Sequence, residues 1–250
     1  MISPQKFYIQ EISKKTNYRV NWLPDKVLNV GDVGKLEDGL FTLYTTLEQQ
    51  GLPVSVSETK SSMNLNYTSN ESVKISNGYM TEAVAAGFSE APDKRICNVE
   101  FNKPDGVVFQ ISDYTALSMD NLKDVEDLIL EKYKKGIWDL GWGVITEVVR
   151  TDSATIIINT GGSNKLEFEM NENADLKSEN LADTGLGLQL LNETGTSTKF
   201  IAKDNLTPLY VVKGISDPLY GKSKFRGANA YRAIQFNALR ELSFNPSEIV

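Results

Sequence analysis

Cys97 is the only thiol in this 250-residue chain, and no histidine accompanies it. A cysteine nucleophile needs a base beside it to ionise at neutral pH, and histidine is the usual one. Without histidine there is no Ser-His-Asp or Cys-His triad, no histidine-held zinc hydrolase centre and no His-carboxylate metal site. Cys97 opens the stretch Cys97-Asn98-Val99-Glu100-Phe101 and is expected to be a small core hydrophobe. Two carboxylate pairs, Asp124/Asp127 and Glu167/Glu169, have a spacing that acid–base work could use. The first pair belongs to the outer face of an amphipathic helix. The second alternates with Leu166 and Phe168 and points to the wet side of a strand, so both pairs read as solvated surface. Gly141-Trp142-Gly143 and Gly185-Leu186-Gly187 lack the third glycine and the strand-to-helix setting of a phosphate loop. The chain is therefore expected to hold no metal and no cofactor, and to act by binding, assembling or changing shape.

Composition narrows the partners. There are 33 Asp and Glu against 26 Lys and Arg, a net charge of -7, which disfavours nucleic acid. A lone cysteine permits no internal disulfide, which fits a reducing cytosol. Met1 to Phe7 has no apolar core of a signal peptide and no glycine after the methionine for a myristoyl group. No apolar run reaches the roughly 18 residues of a membrane helix. A membrane β-barrel needs only about 9–11 alternating residues per strand and stays open as a possibility.

The elements that position these residues follow from periodicity. Residues 5–16, with Phe7, Ile9 and Ile12, predict a short helix, and Tyr18 to Pro24 a short strand. The broad apolar set Leu36, Leu40, Phe41, Leu43 and Leu47 predicts a helix over 29–50, ended by Leu52-Pro53. Val54 and Val56 alternate with serines, and Met63, Leu65 and Tyr67 with asparagines, so both stretches predict strands. Residues 78–91 predict another short helix. Two strands, 97–101 and 107–111, flank the turn Lys103-Pro104-Asp105-Gly106. The clearest helix spans 119–135, with Ser118 as N-cap, acids early, lysines late and Gly136 at its end. Trp142 to Val149 and Ala154 to Ile158 predict a β-hairpin turning at Thr151-Asp152-Ser153. Gly161-Gly162 leads to a strand at 166–170, followed by an acidic, Asn-rich mobile loop over 171–183. Further strands are expected at 186–190, 198–201 and 209–212, and Trp138 and Trp142 are expected in the core in preference to a membrane-interface anchor.

The C-terminal stretch changes character. Lys222, Lys224, Arg226, Arg232 and Arg240 stand against Asp217. Residues 217–229 read as a linker and 230–242 as a docking helix with Tyr231, Ile234, Ala238 and Leu242 on one face. The basic, glycine-flanked run Gly221 to Gly227 is expected to be exposed and open to cleavage.

With the strands laid out, the chain resembles a bacterial gasdermin. Gly143 to Thr151 resembles the family's strand after its middle helix. Thr196 to Phe200, followed by Thr207-Pro208-Leu209-Tyr210-Val211-Val212, resembles its late Ser/Thr-rich strand and the strand after it. Asn98-Val99-Glu100-Phe101 and Asn17 to Pro24 resemble two earlier strands. The resemblance implies an α+β fold: a twisted, mainly antiparallel central sheet with flanking helices and a short C-terminal helical or extended tail packed on it. It implies an autoinhibited pore-forming effector of anti-phage defence, with residues 1–226 as the pore module and 227–250 as an inhibitory peptide. A caspase-like or trypsin-like protease would remove that peptide, with Arg226, Gly227 and Arg232 the candidate cleavage region. The inhibitory contacts would come from Tyr231, Ile234, Phe236, Ala238 and Leu242. The freed module would leave the cytoplasm, assemble into a large homo-oligomer and cross the inner membrane as a β-barrel. Segments 54–75 with 97–111, and 143–158 with 186–201, would rebuild into long hairpins carrying Val54, Val56, Met63, Leu65, Tyr67, Val144, Thr146, Val148, Ile156 and Ile158. Many bacterial gasdermins carry a lipidated cysteine within their first few residues. This sequence has none there, which puts lipid priming in question.

Two other functions are compatible with the same residues. A non-enzymatic β-rich binding or assembly module, of phage structural or adhesion type, explains polar strands and missing histidine equally well and predicts no membrane leakage. A carboxylate enzyme requires two acids lining one pocket with shifted pKa values.

Overall fold

The computed structural model describes residues 3–37, 39–62, 64–69, 72–80, 94–177, 180–182, 188–195, 197–202, 205–215 and 239–241. Along the chain the elements are α1 (Pro4–Lys15), β1 (Arg19–Val20), β2 (Asp32–Glu37), β3 (Leu40–Thr46), β4 (Val56–Ser61), β5 (Leu65–Thr68), β6 (Val73–Met80), β7 (Lys94–Phe101), β8 (Gly106–Ser112) and β9 (Tyr114–Met119). They continue with α2 (Leu122–Lys134), β10 (Gly143–Thr151), β11 (Ser153–Asn159), β12 (Asn164–Glu169), β13 (Gln189–Thr194), β14 (Ser197–Ala202), β15 (Leu206–Ile215) and β16 (Leu239–Glu241). Among the described residues antiparallel sheet dominates and two helices accompany it, in line with the α+β expectation. The chain divides into two compact units, one from Met1–Thr16, Lys60–Tyr114 and Thr151–Leu206, the other from Asn17–Thr59, Thr115–Arg150 and Thr207–Val250.

The first unit is a two-sheet sandwich with a helix on one side. One sheet runs β14-β11-β8-β5 and the other β13-β12-β7-β6. Helix α1 starts with Ser3, whose hydroxyl accepts from the Lys6 N–H at 3.3 Å, and ends with Lys14 and Lys15. Its helical spacing buries Tyr8, Ile9 and Ile12, and the Tyr8 ring lies 6.3 Å from that of Phe109 on β8. Every residue of β8 and β11 is buried, as expected of strands covered on both faces. Between the sheets Cys97, Val99, Phe101, Leu166 and Phe168 meet Val108 and Ile157. Of the stretch 171–183, expected as a mobile loop, the described residues 171–177 and 180–182 help close this core instead. Ala174 and Leu181 are buried in it, and the Leu181 N–H donates to Gln110 Oε1 at 2.6 Å. Ala174, Leu181 and Ala182 turn inward while Glu172 and Asp175 stay exposed, so the apolar residues decide the path of the chain.

The second unit is one sheet with the spine β1-β15-β10-β2-β3. Strand β9 also pairs with β10, β4 with β9 and β16 with β15. Helix α2 buries Val125 and Ile129 in a core with Val33, Leu47, Trp138 and Val144. Trp138 is buried and packs edge-on against Trp142 at 5.2 Å, so the pair belongs to the core as expected.

Several expectations are corrected. Residues 29–50 are not helical: β2 and β3 form a hairpin. Its apolar residues alternate imperfectly rather than recur every turn of a helix, and Gly34 decides the matter. A side chain there would lie 2.0 Å from the Thr42 carbonyl, a strand-to-strand approach that only glycine allows. Ser118 is not the N-cap of α2 but part of β9; Asn121 precedes the helix and uses its side chain on Ser55 N–H (2.8 Å) and Pro53 C=O (2.9 Å). Strands β7 and β8 flank their turn yet lie in different sheets, and β10 and β11 are likewise no hairpin, since each is a central strand with other neighbours. Gly78 to Met80 end strand β6 rather than begin a helix, and 81–91 lie outside the described residues. Of the proposed docking helix over 230–242 the described residues are 239–241, and these are a strand, paired with Lys213 to Ile215.

Candidate functional site

The four stretches 56–80, 94–119, 143–169 and 189–215 carry most of the strands. In each sheet they lie side by side in the same order. In the second unit the neighbours are β4-β9-β10-β15; in the first they are β5-β8-β11-β14 and β6-β7-β12-β13. The two inner stretches keep one register throughout. Arg150 faces Thr115, and three residues on along both strands Ser153 faces Ser112. The ladder runs to Asn159 opposite Gly106, and five residues further on both strands Asn164 faces Phe101 and then Glu169 faces Ile96. The outer ladders slip by small steps, as bulges do.

This register sorts the inner stretches into two sets by alternation. On one side fall Cys97, Val99, Val107, Phe109, Ile111 and Leu117, paired with Phe168, Leu166, Ile158, Ile156, Ala154 and Val148. On the other fall Asn98, Glu100, Gln110, Ser112 and Ser118, paired with Glu167, Lys165, Thr155, Ser153 and Glu147. Ile96, Val108 and Ala116, with Ile157 and Val149 across from the last two, are the apolar members of that set, and Val108 and Ile157 sit where the second sheet packs; the first set in turn holds Thr115 paired with Arg150, and Asn164 opposite Phe101.

Three residues other than glycine have positive φ among the described ones: Asp105 (63°), Asp113 (48°) and Asn205 (50°). Each stands at a break in one of these stretches, between β7 and β8, between β8 and β9, and between β14 and β15. Asp and Asn tolerate this conformation best among side-chain-bearing residues. The Asn205 N–H donates to Asp152 Oδ1 at 3.1 Å, joining the break after β14 to the break between β10 and β11. In the sequence Asp105 belongs to a Pro-Asp-Gly turn, whereas Asp113 and Asn205 carry no comparable turn signal.

The proposed hairpin residues fall as follows. Val144, Thr146 and Val148 are buried on β10, and Ile156 and Ile158 on β11. Leu65 and Tyr67 are half-buried on β5, opposite Ile111 and Phe109. Val56 is exposed on β4, Val54 is half-buried before it, and Met63 lies outside the described residues. The Asp120 N–H donates to Ser55 C=O at 2.9 Å, which sets Val56 opposite Met119. One extra residue between 55 and 65 thereby brings Val56 and Leu65 onto the same alternation set despite their opposite parity. Arg226, Gly227, Tyr231, Arg232, Ile234, Phe236, Ala238 and Leu242 lie outside the described residues.

The electrostatics are those of a packed core. Burial pushes the Cys97 thiol up to about 12, and the Tyr8 hydroxyl also well up. Tyr67 is raised to about 12 by burial and by its hydrogen bond to Glu11 (3.0 Å). Asp32, beside a cleft of about 270 Å³ lined by Asn29, Thr46 and Glu48, is raised by burial and held back by the Asn29 N–H. Among the described residues no three acids or cysteines gather as metal ligands, and no helix is long and apolar enough to cross a membrane.

No family model matches the sequence, and no curated protein matches it. Among solved structures, a chain in the cryo-EM structure of the Gasdermin A3 membrane pore is similar over 86% of this chain and 92% of that one, at 8% identity and a TM-score of 0.36.

Proposed function

We propose that this is a pore-forming protein whose four long strand stretches open into a membrane β-barrel once its C-terminal peptide is removed. The observation that carries the reading is the inner ladder of 94–119 with 143–169, which holds one register through three sheets. Extended, each stretch exceeds the roughly 9–11 residues that a tilted strand needs to cross a bilayer. Its mainly apolar set, interrupted by Thr115, Arg150 and Asn164, would face lipid and its mainly polar set the lumen, with every backbone group paired by closure among subunits. The residues 56–80 and 189–215 then complete two hairpins with these partners. In this reading a caspase-like or trypsin-like protease cuts near Arg226 or Arg232. The module of residues 1–226 passes from the cytoplasm to the inner membrane and kills the cell in answer to phage. The peptide 227–250 restrains it, and β16, paired along β15, is where that restraint would act.

The test is dye release from anionic liposomes by the full chain and by the chain cut after Arg226. Release by the cut form alone is expected. Release by neither, with both folded, would move the function to a binding or assembly module.

A further inference from the structure

Gln110 and Ser112 on β8 stand opposite Thr155 and Ser153 on β11, which sets four polar side chains on one side of two strands whose every residue is buried. Each of the four is at most 6% exposed. A buried polar group costs free energy unless it finds a partner, and apolar residues would pack such strands without that cost. The partner here is a piece of main chain. The Leu181 N–H donates to Gln110 Oε1 at 2.6 Å, and the Thr155 hydroxyl donates to Leu181 C=O at 3.0 Å. The Ser153 hydroxyl donates to Ala182 C=O, and the Asn180 side-chain amide donates to Ser112 Oγ at 2.8 Å. Leu181 itself drops into the core cluster that holds Val108 and Ile157.

Upstream, the same segment is fastened to the other sheet. Arg95 on β7 donates to Ala174 C=O, and the Asn77 side-chain amide on β6 donates to Leu176 C=O at 3.2 Å. Residues 171–177 are thus held by β6 and β7, and 180–182 by β8 and β11, so the segment staples the two sheets of the first unit together. A staple made of side-chain bonds can let go while the strand ladders beneath it stay paired. In an extended ladder the four polar residues fall in the mainly polar set, where water can replace the staple and no buried group is left orphaned.

We propose that the polar side of β8 and β11 is a peptide-backbone site, and that 180–182 fills it as an internal latch, a restraint separate from the C-terminal peptide. As a brake on opening the latch rests on the pore reading; as a detachable segment it does not. The first experiment is native-state hydrogen exchange on the intact chain. The Leu181 N–H should exchange at least about a hundredfold faster than the amides of Ile156 to Ile158 on β11, through openings that leave both sheets paired. Thr155→Val keeps the side chain's shape, removes the donor to Leu181 C=O, and should speed Leu181 exchange about tenfold without moving those β11 amides. Leu181 and β11 exchanging at one rate, or accelerated alike by Thr155→Val, would overturn the proposal. The second experiment is dye release from anionic liposomes by the chain cut after Arg226 and carrying Ser112→Cys with Asn180→Cys, two side chains that meet at 2.8 Å in the parent. Cys97 is fully buried and stays out of the pairing. Once mass spectrometry shows the new disulfide, release should be slowed at least about tenfold and restored by reductant. Equal release by the oxidised and reduced forms would also overturn the proposal. No release by any cut chain, with Leu181 still exchanging ahead of β11, would remove the pore reading and leave the detachable latch standing.

Discussion

The two units use the same four chain stretches in the same neighbour order, and cover them differently. In the second unit the sheet is widened by β1, β2, β3 and β16 and its core is closed by α2, with Val125, Ile129 and Trp138. In the first the cover comes from α1 and from the ladder itself. The helix sits over Phe109, and beyond the turns at 102–105 and 160–163 the strands return as β7 and β12, laying Val99, Phe101 and Phe168 on Val108 and Ile157. A sheet covered by its own continuation can be uncovered without breaking a strand pair. In the second unit the strands β2, β3, β1 and β16 hold the sheet by backbone pairing at its sides, and β10 is tied to β2 through Gly143 and Val144. Under the pore reading proposed above, opening would fall to the first unit and the second would stay as a platform.

The strongest way to break that assignment is a matched pair of core truncations. Phe109→Ala and Ile129→Ala each remove a side chain that is at most 1% exposed. Each should cost about 3–5 kcal/mol in urea denaturation. Only Phe109→Ala should speed dye release by the cut chain; equal acceleration by both would erase the distinction between units. A second pair uses glycine. Gly34→Ala sets a methyl against the Thr42 carbonyl at 2.0 Å, whereas Gly106→Ala meets the edge of the Phe101 ring at 2.4 Å. Backbone cannot yield as a ring can. Gly34→Ala should therefore lose about 3 kcal/mol or fail to fold, and Gly106→Ala nearer 1 kcal/mol, read as shifts in denaturation midpoint.

Smaller effects sharpen the picture. Asp113→Val puts a β-branched residue where φ is 48° and should cost about 1–2 kcal/mol in the soluble form. In the cut chain it should hasten leakage, since valine favours the extended strand; Asp113→Gly should do neither. Slower leakage by the valine variant would show that Asp113 stays bent in the pore. The smallest effect is on pH dependence. The Cys97 thiol stands at about 12 in the folded chain against an ordinary 9.0, a raised value. Its stabilising contribution is full below about pH 9 and is lost as pH rises from 9 towards 12. The melting temperature should fall over that interval, and less steeply in Cys97→Ala. With no histidine in the chain, the interval around neutral pH carries no imidazole titration.

Much of the fold was legible from periodicity. Helix α1, helix α2 with its Gly136 stop, and the strands at 97–101, 107–111, 143–149, 154–158, 198–201 and 209–212 all lie where the pattern put them. The β2–β3 hairpin was not, because β3 is an edge strand whose Leu40, Leu43 and Tyr44 are exposed, so apolar residues fall on both of its faces and blur the period of two. Pairing was illegible for a different reason. Adjacent strands such as β7 and β8, or β10 and β11, look like hairpins locally, and nothing short-range says that the chain is changing sheets. Of the candidate site, the alternating apolar residues were visible one strand at a time. Their common register was not, since it is a relation between residues such as Ile96 and Glu169 that lie far apart in the chain.

That register bears on speed. A protein that must abandon one set of neighbours for another repays the entropy of closing each loop, and searches for its new alignment. Here Ser112 already faces Ser153, and Phe101 already faces Asn164, as they would in an extended sheet. In the proposed passage from compact to extended form the inner pair would change curvature at Asp105 and Asp113 with its alignment already set, and only the outer stretches would shift by the small steps seen at their bulges.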